Sequence, residues 1–89
     1  MSELPIPAKQ YFNDFSFDLI EYEVKRKNEI IGSCKGLTSG DEKGRHIAFL
    51  MDASILPGDV LITSNKTFVI HRIDYDHYNG SPELLKAYY

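Results

Sequence analysis

The stretch ILPGDVLITSNKTFVIHRIDY, residues 55–75, constrains the fold more than any other part of the chain. A proline-glycine turn opens into a short aliphatic run, a polar SNKT break follows, and a second apolar run ends in alternating charged and aromatic residues. Apolar runs this short, bounded by turn formers, read as strands, and so short a link between them requires an antiparallel hairpin. With Asn65 and Lys66 as the loop, Ser64 pairs with Thr67, Ile62 with Val69 and Val60 with His71. One face then carries Val60, Ile62, Val69, His71, Ile73 and Tyr75. The other carries Leu61, Thr63, Phe68, Ile70, Arg72, Asp74 and Asp76.

The rest of the chain extends this pattern. In FSFDLIEYEVKR, Phe15, Phe17 and Leu19 alternate with polar residues, and then Ile20, Tyr22 and Val24 do so on the opposite parity. A single strand bent or bulged at Leu19–Ile20 accounts for the change. Lys27 and Asn28 form a turn into EIIGSCKGLT, whose glycines suit strong curvature. SGDEKG is a polar loop. RHIAFLMD is apolar on both parities, as a strand covered on both sides requires. YNGSP turns the chain into ELLKAYY, a final apolar and aromatic strand that closes the sheet. About six strands with local connections predict an all-β fold, a small curled barrel or sandwich of SH3-like or OB-like form. Residues 1–14 read as a proline-containing arm with at most one or two helical turns, reaching across the body or toward a neighbour. Residues 15–89 read as a single β-rich domain.

A chain of 89 residues buries only roughly 60–65% of its unfolded surface, which leaves a modest core and little room for an enclosed cleft. The net charge of −3 does not favour a polyanionic partner. Cys34 is the only cysteine, so no intrachain disulfide forms and a reducing, cytoplasmic setting is expected. The N-terminus has neither the basic start nor the apolar run of a signal peptide. Nowhere is there the run of about 18 apolar residues that a membrane helix needs.

The densest reactive stretch is HRIDYDHYNG, residues 71–80. His71 and His77 share a strand face but lie roughly 20 Å apart, too far to share a zinc ion, and Asp74 points away from His71. Asp74 and Asp76 form an acidic pair that Arg72 compensates, a surface salt-bridge cluster in place of a glycosidase acid and base. Cys34 with His46 or His71 as its base is a conceivable nucleophile, but strand cysteines in small domains are mostly packing. The GLTSGDEKGR stretch, with Lys43, lacks the spacing of a phosphate-binding loop. No catalytic, cofactor or metal residue is therefore assigned, and a small metal- or cysteine-dependent enzyme is set aside.

Nucleic-acid binding is the stronger alternative, because small β-barrels display aromatics for base stacking. Lys25, Arg26, Lys27, Lys35, Lys43, Arg45 and Arg72 are available, with Tyr11, Tyr22, Tyr75, Tyr78, Tyr88 and Tyr89. Glu21, Glu23, Glu29, Asp41 and Glu42 interleave with them and oppose a phosphate-tracking groove. A non-enzymatic protein-interaction or assembly module fits better, contacting a protein partner or a second copy through the N-terminal arm or a sheet edge.

The segment DASILPGDVLITSNKTFVIHRIDYD, with GSPELLKAYY after it, resembles the ends of small bacteriophage or prophage proteins. In these a Gly-Asp turn, here Gly58 and Asp59, launches a hairpin and a further strand completes a compact barrel. The resemblance spans the C-terminal half and implies an SH3-like or OB-like fold and a place in a head-to-tail connector or tail. It carries over no catalytic or ligand residue.

Overall fold

The computed structural model describes residues 2–89. It is a curled, mostly antiparallel sheet of eight strands forming a half-barrel. The strands are β1 Ser2–Glu3, β2 Ile20–Arg26, β3 Glu29–Asp41, β4 Gly44–Leu50, β5 Val60–Thr63, β6 Lys66–Val69, β7 Arg72–Tyr78 and β8 Ser81–Tyr88. A helix, α1, spans Ala8–Asp14 and leads into a 3-10 turn at Ser16–Asp18. The spatial order is β1-β7-β8-β4-β3-β2-β5-β6. The chain links β6, at one end of that order, to β7, the strand next to β1 at the other, because only Ile70 and His71 separate β6 from β7. At this corner Ile70 N–H donates to Asp59 O at 2.9 Å, and His71 N–H donates to Tyr88 O at 2.8 Å.

Long strand β3 is the hinge of the architecture. Its first half pairs with β2, up to Ile20 opposite Gly36, and its second half pairs with β4, from Leu37 opposite Ala48. Gly36 sits where it passes from one partner to the other. The core lies inside the curl and contains Tyr22, Val24, Ile47, Phe49, Ile55, Leu61, Ile70, Leu85 and Ala87. Tyr22 packs edge-to-face on Phe49 and Phe68, each with ring centroids 6.1 Å apart. Each fully buried aliphatic side chain here contributes about 2 kcal/mol.

Three sequence expectations are corrected. The first strand does not begin at Phe15. Residues 16–18 form the 3-10 turn, Phe15 and Phe17 are exposed, and the strand starts at Ile20. The parity change therefore marks the passage from helical turn to strand, and the irregularity in the sheet lies further on, as a register shift between β2 and β3 at Val24–Lys25. The hairpin loop is Ser64–Asn65, with Thr63 opposite Lys66 and Val60 opposite Val69. Moving a two-residue turn by one position moves every partner by two, so the faces keep their membership. The core face is the one with Leu61, Phe68 and Ile70, and His71 is exposed at the corner.

The turn before β5 is held by charge. Arg26 donates from Nε to Asp59 Oδ1 at 2.9 Å and from Nη2 to Asp59 Oδ2 at 2.8 Å. Leu56 N–H donates to the same carboxylate at 2.9 Å, and Gly58 takes a φ of 93°. The guanidinium and the amide hold the buried Asp59 carboxyl below its ordinary range. Asp59→Ala is expected to cost about 3 kcal/mol in urea denaturation, since it removes a bidentate pair and strands the Leu56 amide. A loss under about 1 kcal/mol would show the turn to be held by its backbone alone.

Candidate functional site

The face of the β3-β4-β8-β7 layer opposite the core carries the chemistry. Pairing aligns Ser39 with His46, His46 with Tyr88, Ala48 with Lys86, and Asp76 with Leu84. Helix α1 lies on this face through buried Ala8 and Phe12, and Ala8 N–H donates to Glu83 Oε1 at 3.1 Å. This second cover explains why His46, Ile47, Ala48 and Phe49 are all buried, as an apolar run on both parities requires. Between α1, the 3-10 turn and the sheet runs an open cleft of about 760 Å³. Tyr11, Phe12, Phe15, Leu37 and Leu84 give it apolar walls, Asp41, His46, Asp76 and Lys86 give it a polar end, and Asp18 also lines it.

Lys86 is the centre of that polar end. It is 4% exposed, with Nζ 3.2 Å from Asp41 Oδ2 and 3.1 Å from Asp76 Oδ1. The Asp76 contact is an ion pair by distance, without the alignment of a hydrogen bond. Tyr88 OH donates to Asp41 Oδ2 at 2.7 Å, and Lys43 N–H donates to Asp41 Oδ1 at 2.8 Å. Asp41 is thereby held well below the usual carboxylate range, by Tyr88 first and then by the Lys43 amide and Lys86. Burial alone would lower the Lys86 pKa, but Tyr88, Asp76 and Asp41 overcome it and hold the ammonium above the ordinary lysine range. Neither group is poised to exchange a proton near neutral pH.

His46 completes the cluster. Its ring is tilted against Tyr88 with centroids 5.0 Å apart, and its buried Nδ1 lies 3.9 Å from Asp41 Oδ2 with no hydrogen-bond partner. Burial pushes its pKa down against the opposing pull of Asp41, which keeps the imidazole neutral at neutral pH.

The HRIDYDHYNG residues disperse. Asp76 enters the cleft, Asp74 pairs with Lys43 at 3.1 Å, and the Arg72 guanidinium stacks 4.3 Å from the Tyr88 ring centroid. Lysines therefore compensate the two aspartates, where the sequence pointed to Arg72. A register shift at Asp76–His77 places His77 opposite Pro82, while His71 is exposed. Among the described residues no three His, Cys, Asp or Glu side chains converge as a metal would require. Cys34 lies beside Asp52 in a separate depression, where burial first and Asp52 second raise its thiol pKa, against a hydrogen bond from Ser54. His46 faces Ser39, five residues further along β3, which is roughly 16 Å of strand from Cys34.

Four of the ten lysines and arginines are committed to the protein itself. Arg26 holds Asp59, Lys43 holds Asp74, Lys86 is buried, and Arg72 covers Tyr88. Of the six tyrosines, Tyr22 and Tyr88 are buried, Tyr11, Tyr78 and Tyr89 are half-buried, and Tyr75 is exposed. Sequence reading did not assemble Asp41, His46 and Lys86. The available signal was a lysine inside the apolar run LLKAYY and a histidine inside RHIAFL. Among the described residues no helix is long and apolar enough to cross a membrane. No family model, curated protein or solved structure matches the chain.

Proposed function

We propose that the chain is a non-enzymatic protein-interaction module that docks a partner protein on the aromatic rim of the cleft. The observation that carries this reading is Phe17, whose side chain is 101% exposed, between cleft-lining Phe15 at 49% and Ile20 at 38%. One exposed apolar residue is ordinary, but three within six positions, two of them lining a cleft, form the kind of surface that anchors protein contacts. The N-terminal segment is folded onto its own sheet, so the contact is placed on the aromatic stretch after it. Strand β6, which pairs only with β5 among the described residues, offers an edge for a second contact. A small assembly component is the setting that the C-terminal resemblance to phage connector and tail proteins implies, the partner then being a neighbouring subunit.

Because Phe17 packs on nothing, Phe17→Ser is expected to leave stability within about 0.5 kcal/mol of the parent while weakening partner binding by about tenfold or more. A photo-cross-linking phenylalanine analogue at position 17, used in the producing cell, should trap a protein. That protein should bind the purified parent chain and not the Phe17→Ser variant. Equal binding to both, or a stability loss above about 2 kcal/mol on Phe17→Ser, would count against the reading.

A further inference from the structure

We propose that the cleft takes a basic side chain, with a guanidinium the better match, carried between apolar residues on a segment of the partner protein. This rests on the interaction reading above and names the chemistry of its partner. Three carboxylates, Asp18, Asp41 and Asp76, line the cleft against one ammonium, that of Lys86, which leaves two net negative charges (3 − 1 = 2). His46 supplies an independent sign of a missing partner. It lines the same cleft, is 4% exposed, and its buried Nδ1 has no partner. A neutral imidazole has one N–H and one acceptor nitrogen, and in the tautomer protonated on Nε2 the open Nδ1 accepts a hydrogen bond. Asp76 Oδ1 is met only by the Lys86 ammonium at 3.1 Å, and Asp18, also lining the cleft, is exposed.

An end of the cleft rich in acceptors and negative charge is complementary to a group that is all donor. Guanidinium offers five N–H groups and no acceptor, and it tolerates partial burial beside aromatic faces better than ammonium does. Tyr11, Phe12 and Phe15 supply such faces on the α1 side. The apolar walls and the exposed Phe17 then accept the residues that flank the basic one. An anionic or neutral apolar segment would leave the same acceptors facing carboxylate or hydrocarbon, which costs desolvation without return. Charge thus decides the occupant, and the aromatic rim decides where it sits.

The test is a titration of the full ¹⁵N-labelled chain with acetyl-Leu-Arg-Phe-amide, its Glu and norleucine counterparts, and free arginine. The Arg peptide is expected to move the amides of Asp18, Asp41 and Ala48, and to bind about tenfold more tightly than the Glu peptide. Asp18→Lys, a substitution at an exposed position, should weaken it by about fivefold or more. Equal affinities for the Arg, Glu and norleucine peptides at those amides would overturn the basic-residue inference and leave an apolar interaction surface standing. Free arginine binding as tightly as the Arg peptide would replace the protein segment by a small cation. Arg-peptide binding unchanged by Asp18→Lys, or no movement of the cleft amides with any probe, overturns the inference. The cross-linking result at Phe17 judges the interaction reading separately.

Discussion

Replacing Gly36 by valine is expected to abolish the cooperative unfolding transition, and Gly36→Ala to cost about 3 kcal/mol. A Cβ at this position would lie 2.7 Å from both Ile47 Cγ2 and Phe49 Cε1, and 3.0 Å from the Ala48 carbonyl oxygen. Carbon atoms in contact settle roughly 3.5–4.0 Å apart, so even one methyl must push its neighbours back by nearly an ångström. Those neighbours cannot yield. Ile47 and Phe49 are fully buried, Phe49 packs on Tyr22, and the Ala48 oxygen belongs to the strand that β3 must approach. Valine adds two further methyls at the point where β3 passes from β2 to β4. Urea denaturation followed by far-UV circular dichroism checks both variants. A companion Phe49→Leu substitution should recover part of the alanine loss by opening space, with the two changes non-additive because they share one contact. Loss below about 1 kcal/mol for Gly36→Ala would show that the strands can separate at this crossing.

The importance of Gly36 also indicates what a one-dimensional reading reaches. Two glycines in EIIGSCKGLT suggest curvature, but only the facing residues distinguish them. Nothing lies within 4 Å of a Cβ built on Gly32, which has a φ of 157°, whereas Gly36 is pressed against the core. The run RHIAFL was legible because its pattern is local: apolar residues on both parities need cover on both faces, and the core and α1 supply it. The YNGSP turn was legible for the same reason, with Asn79 and Gly80 taking the positive φ angles of 51° and 80° that a tight hairpin needs.

The stretch Phe15–Leu19 misled because five residues of alternation are too few to decide a strand. With no neighbouring strand to pair with, the backbone satisfied itself locally, Asp18 N–H donating to Phe15 O at 2.9 Å. The cleft was the least legible feature. Asp41 read as part of a polar loop, and its local bond to the Lys43 amide agrees with that. Its second oxygen reaches Tyr88 and Lys86, 47 and 45 residues away. No spacing rule links residues so distant along the chain; only the pairing of β3 with β4 and of β4 with β8 brings them together.

The buried ammonium gives the second large effect. Lys86→Met is expected to destabilise the protein by about 3 kcal/mol near pH 7, because methionine keeps the volume but leaves Asp41 and Asp76 facing each other without a cation. The loss should depend on pH in a definite sense. Asp41 has a folded pKa below its unfolded one, so its contribution is full above the ordinary carboxylate range and fades as pH falls below it. Lys86 has a folded pKa above its unfolded one, so its contribution is full below the ordinary lysine range and fades as pH rises through and beyond it. The gap between parent and variant should accordingly be widest on a plateau from about pH 6 to 9 and should narrow toward about pH 3, as the carboxylates the variant cannot neutralise take up protons. Adding Asp41→Asn and Asp76→Asn to Lys86→Met should recover at least about half of the loss, since the penalty lies in the stranded charges more than in the missing pair. Urea midpoints at several pH values separate this account from a packing defect. A methionine that merely fitted poorly would cost the same at every pH, and the two asparagines would not relieve it.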